Sequence, residues 1–136
     1  LASVIAERVT ECRRIVHEIQ AGLDEIEIGV KQRLQERIAD LEVTPDPGRL
    51  EQELVLMLGR SDISEELDRL LLHLSETAKV LQRDEPVGRR LDFLMQELNR
   101  EANTVGSKSA HSSISTAAVD LKVLIEQIRE QVQNVE

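Results

Sequence analysis

Ile5, Val9, Cys12, Val16, Ile19, Leu23, Ile26 and Val30 follow one another at alternating spacings of four and three residues. This is an unbroken heptad seam, and it commits the start of the chain to helix, because only a helix stacks residues three and four apart on one side. After Val30 the apolar positions shift to Leu34, Ile38 and Leu41, a stutter that locally unwinds a supercoil. One long helix over residues 1–43 is therefore expected. Its seam needs a partner, either an antiparallel helix of the same chain or another subunit. Gly22 and Gly29 each precede a seam residue. Each costs a helix roughly 1 kcal/mol relative to Ala, and their matched spacing suggests a second helix passing close by. Cys12 lies on the seam and reads as a buried small hydrophobe. His17 lies off it and reads as a surface residue.

The remaining punctuation divides the chain into shorter helices. Asp46 and Pro47 have the form of an N-cap and first helical residue, which opens a helix over about 47–59 with Leu50, Leu54, Met57 and Leu58 inward. Asp62 and Glu65 have the spacing of a capping box. The helix they open should run to about Gln82, with Ile63, Leu67, Leu70, Leu71, Leu74, Ala78 and Leu81 as its core stripe. The next should start near Pro86, capped by Asp84 or Glu85, and stop near Gly106, with Leu91, Leu94, Met95, Leu98, Ala102 and Val105 buried. A last helix is expected over 113–135. No alternating strand pattern occurs in the sequence, and Phe93 is the only aromatic residue. Aliphatic residues must build the core, which suits a bundle. The expected fold is all-α, with a long connecting helix over 1–46 followed by a helical domain of shorter helices over 47–136.

Charge narrows the function classes. The net charge of −9 argues against a general nucleic-acid binder, which needs a basic surface. One segment departs from that balance. Arg83, Arg89, Arg90, Arg100 and Lys108 there offset Asp84, Glu85, Asp92, Glu97 and Glu101. On a helix, Arg89, Phe93, Glu97, Arg100, Thr104 and Ser107 fall opposite the core stripe, with Asp92, Gln96, Asn99 and Asn103 beside them. Residues 106–113 read as a polar loop whose backbone N–H groups and Lys108 could hold an anion, or simply as a solvated turn. Asp62, Glu66, Arg69 and His73 fall within about 60° of one another on the preceding helix. They could ligate a divalent ion or supply a general base. The same residues also read as a cap, an Arg–Glu pair and a surface histidine. A single cysteine rules out an internal disulfide and a cysteine-rich zinc site. No apolar run has membrane-spanning length and no signal peptide is evident, so the expected compartment is the cytoplasm.

Three stretches carry a family resemblance: GRRLDFLMQELNREANTVGSKS from Gly88 to Ser109, DISEELDRLLLH from Asp62 to His73, and LKVLIEQIREQVQNVE from Leu121 to Glu136. Over about residues 50–136 the chain resembles the C-terminal part of the bacterial YicC/YloC-like family. The resemblance implies a fragment that lacks most of an N-terminal domain. It further implies a metal-dependent endoribonuclease, assembled as a ring-like homohexamer that takes RNA into a central opening and works alongside RNA-degradation machinery. Asp62, Glu66, Arg69 and His73 match one family element. Arg90, Asp92, Gln96, Glu97, Arg100, Glu101, Asn103, Thr104, Ser107 and Lys108 match another.

On this basis Asp62, Glu66, Asp92, Glu97 and Glu101 are candidate ligands for Mg²⁺ or Mn²⁺, which favour oxygen donors. His73, Glu97 and Asp92 are candidate catalytic groups, His73 foremost, because imidazole ordinarily titrates near neutrality. Arg69, Arg89, Arg90, Arg100, Lys108, Lys122 and Arg129 are candidate RNA contacts. Phe93 could stack on a base, although packing at a subunit contact is the expected role. The rival reading is a non-catalytic helical module for oligomerisation and RNA binding, acting as an adaptor in RNA turnover.

Overall fold

The computed structural model describes residues 2–41, 44, 46–58, 60–83, 87–109 and 111–134. Every regular element among them is a helix, as the apolar periodicities predict: α1 (Ala2–Asp40), α2 (Pro47–Leu58), α3 (Arg60–Val80), α4 (Gly88–Lys108) and α5 (Ser112–Gln133). The first part of α1 packs on α3 and α5, and α4 packs on α3 and α5, so the four close a ring around one core. Asp62–Lys108, His73–Glu101 and Glu76–Arg90 pair along α3 and α4 in opposite chain order, so these two helices are antiparallel.

The seam of α1 finds its partners within the chain. Ile5, Val9, Cys12, Val16, Ile19 and Leu23 join Leu67, Leu74, Leu98, Leu121 and Ile128 in the core. Ile15 is buried too, although it stands outside the seam. A helix wedged between two neighbours needs a broader apolar face than a two-stranded seam provides. Burial drives the Cys12 thiol pKa up to about 12, which leaves it an inert core residue. His17 is exposed, as its place off the seam predicts.

Burial along α1 stops at Leu23. A helix of 39 residues is about 58 Å long, whereas α3 at 21 residues is about 32 Å. The second part of α1 therefore outruns the bundle, with Ile28 59% and Leu41 71% exposed. There α2 lies against it through a Lys31–Glu51 ion pair. Asp46 Oδ1 accepts from the Gly48 N–H at 3.0 Å, as expected of a cap, and Leu54 is fully buried. The side chains of Met57 and Leu58 lie outside those described.

The structure corrects four local expectations. Apart from neighbouring residues and the backbone of α1 itself, no described residue has an atom within 4 Å of a Cβ built on Gly22 or Gly29, so no described helix of this chain passes close to either. Gly22→Ala is then expected to raise stability by about 1 kcal/mol, through helix propensity alone. Thermal unfolding checks this. A fall in stability or in assembly mass would reveal a partner helix at that position.

Gly106 does not end α4, which continues to Lys108. Its role is spacing, since a Cβ there would stand 3.3 Å from the Ala118 Cβ across the α4–α5 contact. Consequently the expected anion-holding loop at 106–113 shrinks to 109–111, and Ser109 Oγ accepts from the His111 N–H at 3.2 Å. Residues 106–108 lie within the helix rather than in an open turn. The capping box does not frame α3 either. That helix begins at Arg60, so Asp62 is already inside its first turn, and Glu65 binds Arg69 at 2.9 Å. The expected caps Asp84 and Glu85, with Pro86, lie outside the described residues. The backbone cap of α4 is Val87.

Candidate active site

The stripe Leu91, Leu94, Met95, Leu98, Ala102 and Val105 is buried in full, which fixes the rotation of α4. That rotation brings Glu101 to the α3 side with 0% exposure. Its Oε1 lies 2.8 Å from His73 Nδ1 on α3. With Nδ1–H as donor, the buried carboxylate fixes the imidazole tautomer and leaves Nε2 as the uncommitted nitrogen. Thr77, also fully buried, donates its hydroxyl to the His73 carbonyl at 2.8 Å. His73 keeps 21% exposure, so the ring is anchored from beneath and open above.

Two arginines border this pair. Arg69 binds Glu66 at 3.1 Å and Glu65 at 2.9 Å. Arg100 binds Glu97 at 2.7 Å and stands 3.9 Å from Glu101 Oε2. Both guanidinium groups remain about half exposed, so each retains donors for an incoming anion. The Arg100 hydrogen bond lowers the Glu97 carboxyl pKa, with His73 and Arg69 adding to the effect through charge. Glu101 moves the other way. Loss of solvent raises its pKa, against the opposing pull of His73 and Arg100.

The site contains a specific imbalance. Glu66 Oε2 and Glu101 Oε2 are buried without a hydrogen-bond donor. Unpaired buried carboxylate oxygens are costly, and a cation or a proton relieves the cost. Among the described residues no three His, Cys, Asp or Glu side chains converge as a protein-only metal cage. Mg²⁺ commonly takes only one or two carboxylates and completes its shell with water and substrate phosphate. Each of the two unpaired oxygens offers one carboxylate donor of that kind, the Glu101 one with Arg100 at 3.9 Å.

The structure thus gathers Glu66, Arg69, His73, Glu97, Arg100 and Glu101 and disperses the other candidates. Asp62 pairs with Lys108 at 3.3 Å, three helical turns from His73. Asp92 accepts from the Gln96 amide at 3.3 Å, along α4. Arg90 binds Glu76 at 3.3 Å, and Arg89 is exposed near the start of α4. Lys122 and Arg129 belong to α5. Lys122 lines a groove with Asn103, Ser107 and Ser115, and Arg129 lines another with Gln96, Asn99 and Glu126.

Glu76 was absent from the sequence candidates, yet it meets both Arg90 and Arg83. Its place one turn after His73 was the available signal. The burial of Glu66 and Glu101 also had a signal. Ile63, Glu66 and Leu70 are spaced three and four, and so are Leu98, Glu101 and Val105. Each glutamate occupies a core position of its stripe.

The fold is a helical bundle that sets a histidine on a buried carboxylate, with a half-exposed arginine on either side. Comparison with known proteins specifies the class further. Residues 19–136 match the family described as "Endoribonuclease YicC-like, C-terminal", and the chain belongs to that family. A Haemophilus influenzae protein named "Probable endoribonuclease YicC" is 45% identical over 150 residues, which cover all of this chain and 52% of that protein. A Clostridioides difficile protein of the same name is 37% identical over 139 residues, covering all of this chain and 47% of that protein. The chain spans about half the length of these curated relatives. No helix among the described residues is long and apolar enough to cross a membrane.

Proposed function

We propose that this chain carries the cleavage site of a metal-dependent endoribonuclease that hydrolyses RNA phosphodiester bonds. The supporting observation is the His73–Glu101 pair, open on its outer side and flanked by Arg69 and Arg100. Arg69 and Arg100 bind the non-bridging phosphate oxygens and stabilise the charge that develops on them. His73 accepts the proton of the attacking water at Nε2, and Glu101 stabilises the resulting imidazolium through Nδ1. Glu97 keeps Arg100 in place. Glu66 and Glu101 would hold Mg²⁺ or Mn²⁺ through their bare oxygens, supplying Lewis-acid polarisation of the phosphate and a more acidic water. The net negative charge of the whole chain is compatible with a ring-like homo-oligomer, a hexamer, whose cationic cluster faces an RNA-filled channel and whose acidic faces meet solvent. The proposed compartment is the cytoplasm.

The test is cleavage of an end-labelled RNA by the full-length protein with Mg²⁺, with Mn²⁺ and with EDTA, while RNA binding is followed on the same samples. Cleavage is expected with either metal, is lost in EDTA, and returns when metal is added in excess. Cleavage that survives EDTA would remove the metal from the proposal. RNA binding without cleavage under every condition would favour the non-catalytic adaptor.

A further inference from the structure

Phe93 is the only aromatic residue of the chain and is 50% exposed. Leaving a large apolar ring in water forfeits its burial energy, so its surroundings bear on its purpose. On α4 it lies one turn before Glu97 and two turns before Arg100, on the same side of the helix, about 6 Å along the axis from Glu97. The Arg90 guanidinium carbon stands 5.9 Å from the ring centroid. Arg90 is itself tied at 3.3 Å to Glu76 of α3, one turn beyond His73. Ring and guanidinium are thereby fixed to the α3–α4 edge that carries the candidate active site.

Among the described residues Phe93 is the one large hydrophobic side chain exposed on α4, and Leu72 is the one on α3. A protein-docking patch gathers several apolar side chains into continuous area. A solitary aromatic ring among arginines instead matches the sites where unpaired nucleobases stack, with the cations meeting the adjoining phosphates.

We infer that Phe93 and Arg90 form a stacking platform for an unpaired base next to the scissile phosphate, so that the substrate of this site is single-stranded RNA. The inference rests on the RNA reading of the site and adds the strandedness of the substrate to it. In a duplex the base is stacked and paired within the helix and cannot reach the ring.

The test compares Phe93→Ala, Phe93→Leu and Phe93→Trp in the full-length protein. Binding is measured by fluorescence anisotropy on a labelled single-stranded RNA and on the same sequence in a duplex, with assembly mass from light scattering. Phe93→Ala is expected to weaken single-strand binding about tenfold, in line with loss of one stacked base, and to leave duplex binding and mass unchanged. Phe93→Trp should bind as well as the parent, and Phe93→Leu should resemble Phe93→Ala. Rescue by leucine equal to that by tryptophan, equal losses on single strand and duplex, or a fall in mass alongside binding would make Phe93 a packing residue at a subunit contact and overturn the inference. Unchanged single-strand binding by Phe93→Ala overturns the platform and leaves the RNA reading standing. A parent protein that binds no RNA overturns both.

Discussion

His73→Asn is expected to lower RNA cleavage by about 10²–10⁴-fold, the usual contribution of a positioned general acid or base, with RNA binding and assembly mass unchanged. The choice of substitution matters. Glu101 is completely buried and its one hydrogen-bond partner among the described residues is His73 Nδ1. His73→Ala would leave both carboxylate oxygens without a donor, at a cost of about 1–3 kcal/mol. An activity loss in that variant would mix chemistry with unfolding. Asparagine can place an amide N–H where Nδ1 stood and removes the titrating ring. Loss of cleavage together with loss of binding would mean that His73 holds the edge together rather than moving a proton. Retained cleavage would transfer the acid–base role elsewhere.

The second large effect is expected from Glu101→Gln, where stability and activity should respond oppositely. Burial raises the Glu101 pKa above the ordinary 4.5, so the native chain holds this proton more tightly than the unfolded chain. The stability linked to that proton is full below the ordinary value. It is lost as pH rises from there through the raised value, because the native state must then carry a buried charge. Glutamine carries no such charge. The stability of Glu101→Gln relative to the parent should therefore climb as pH rises above 4.5, which denaturant titrations at several pH values would measure. Cleavage should fall by about 10²–10⁴-fold, because a neutral partner neither selects the imidazole tautomer nor stabilises the imidazolium. A parallel pH profile for parent and variant would mean that the buried carboxyl is not the group whose proton is linked to folding. Unchanged cleavage would separate Glu101 from His73 in function.

Much of this arrangement was readable in the chain. The stripe on α4 from Leu91 to Val105 is buried residue for residue, because helical periodicity is a local property and one buried face satisfies it. His73 and Glu97 stood among the candidates because polar rows on an amphipathic helix are equally local, whereas Glu101, on no polar row, stood there through the charge of its segment and the family motif. The readings that failed concerned distances between helices. Gly106 looks like a stop signal in isolation, and only the Ala118 methyl opposite it makes it a spacer. Gly22 and Gly29 look like a close approach, and no other described helix of this chain approaches them. Asp62 and His73 share a row on α3, yet they lie three turns apart and serve different partners.

By itself, then, the sequence determined the helices, the buried stripe of α4 and the family to which the chain belongs. Those follow from spacings of three and four residues and from motifs whose residue types can be read in order. Only the tertiary structure decided that the α1 seam closes on α3 and α5 of its own chain, and that His73 meets Glu101, 28 positions further along the chain. It also decided that the second oxygens of Glu66 and Glu101 lack a hydrogen-bond donor. Such pairings depend on which helix faces lie opposite each other once the core has packed. Apolar volume sets that packing over the whole bundle, and no local spacing encodes it.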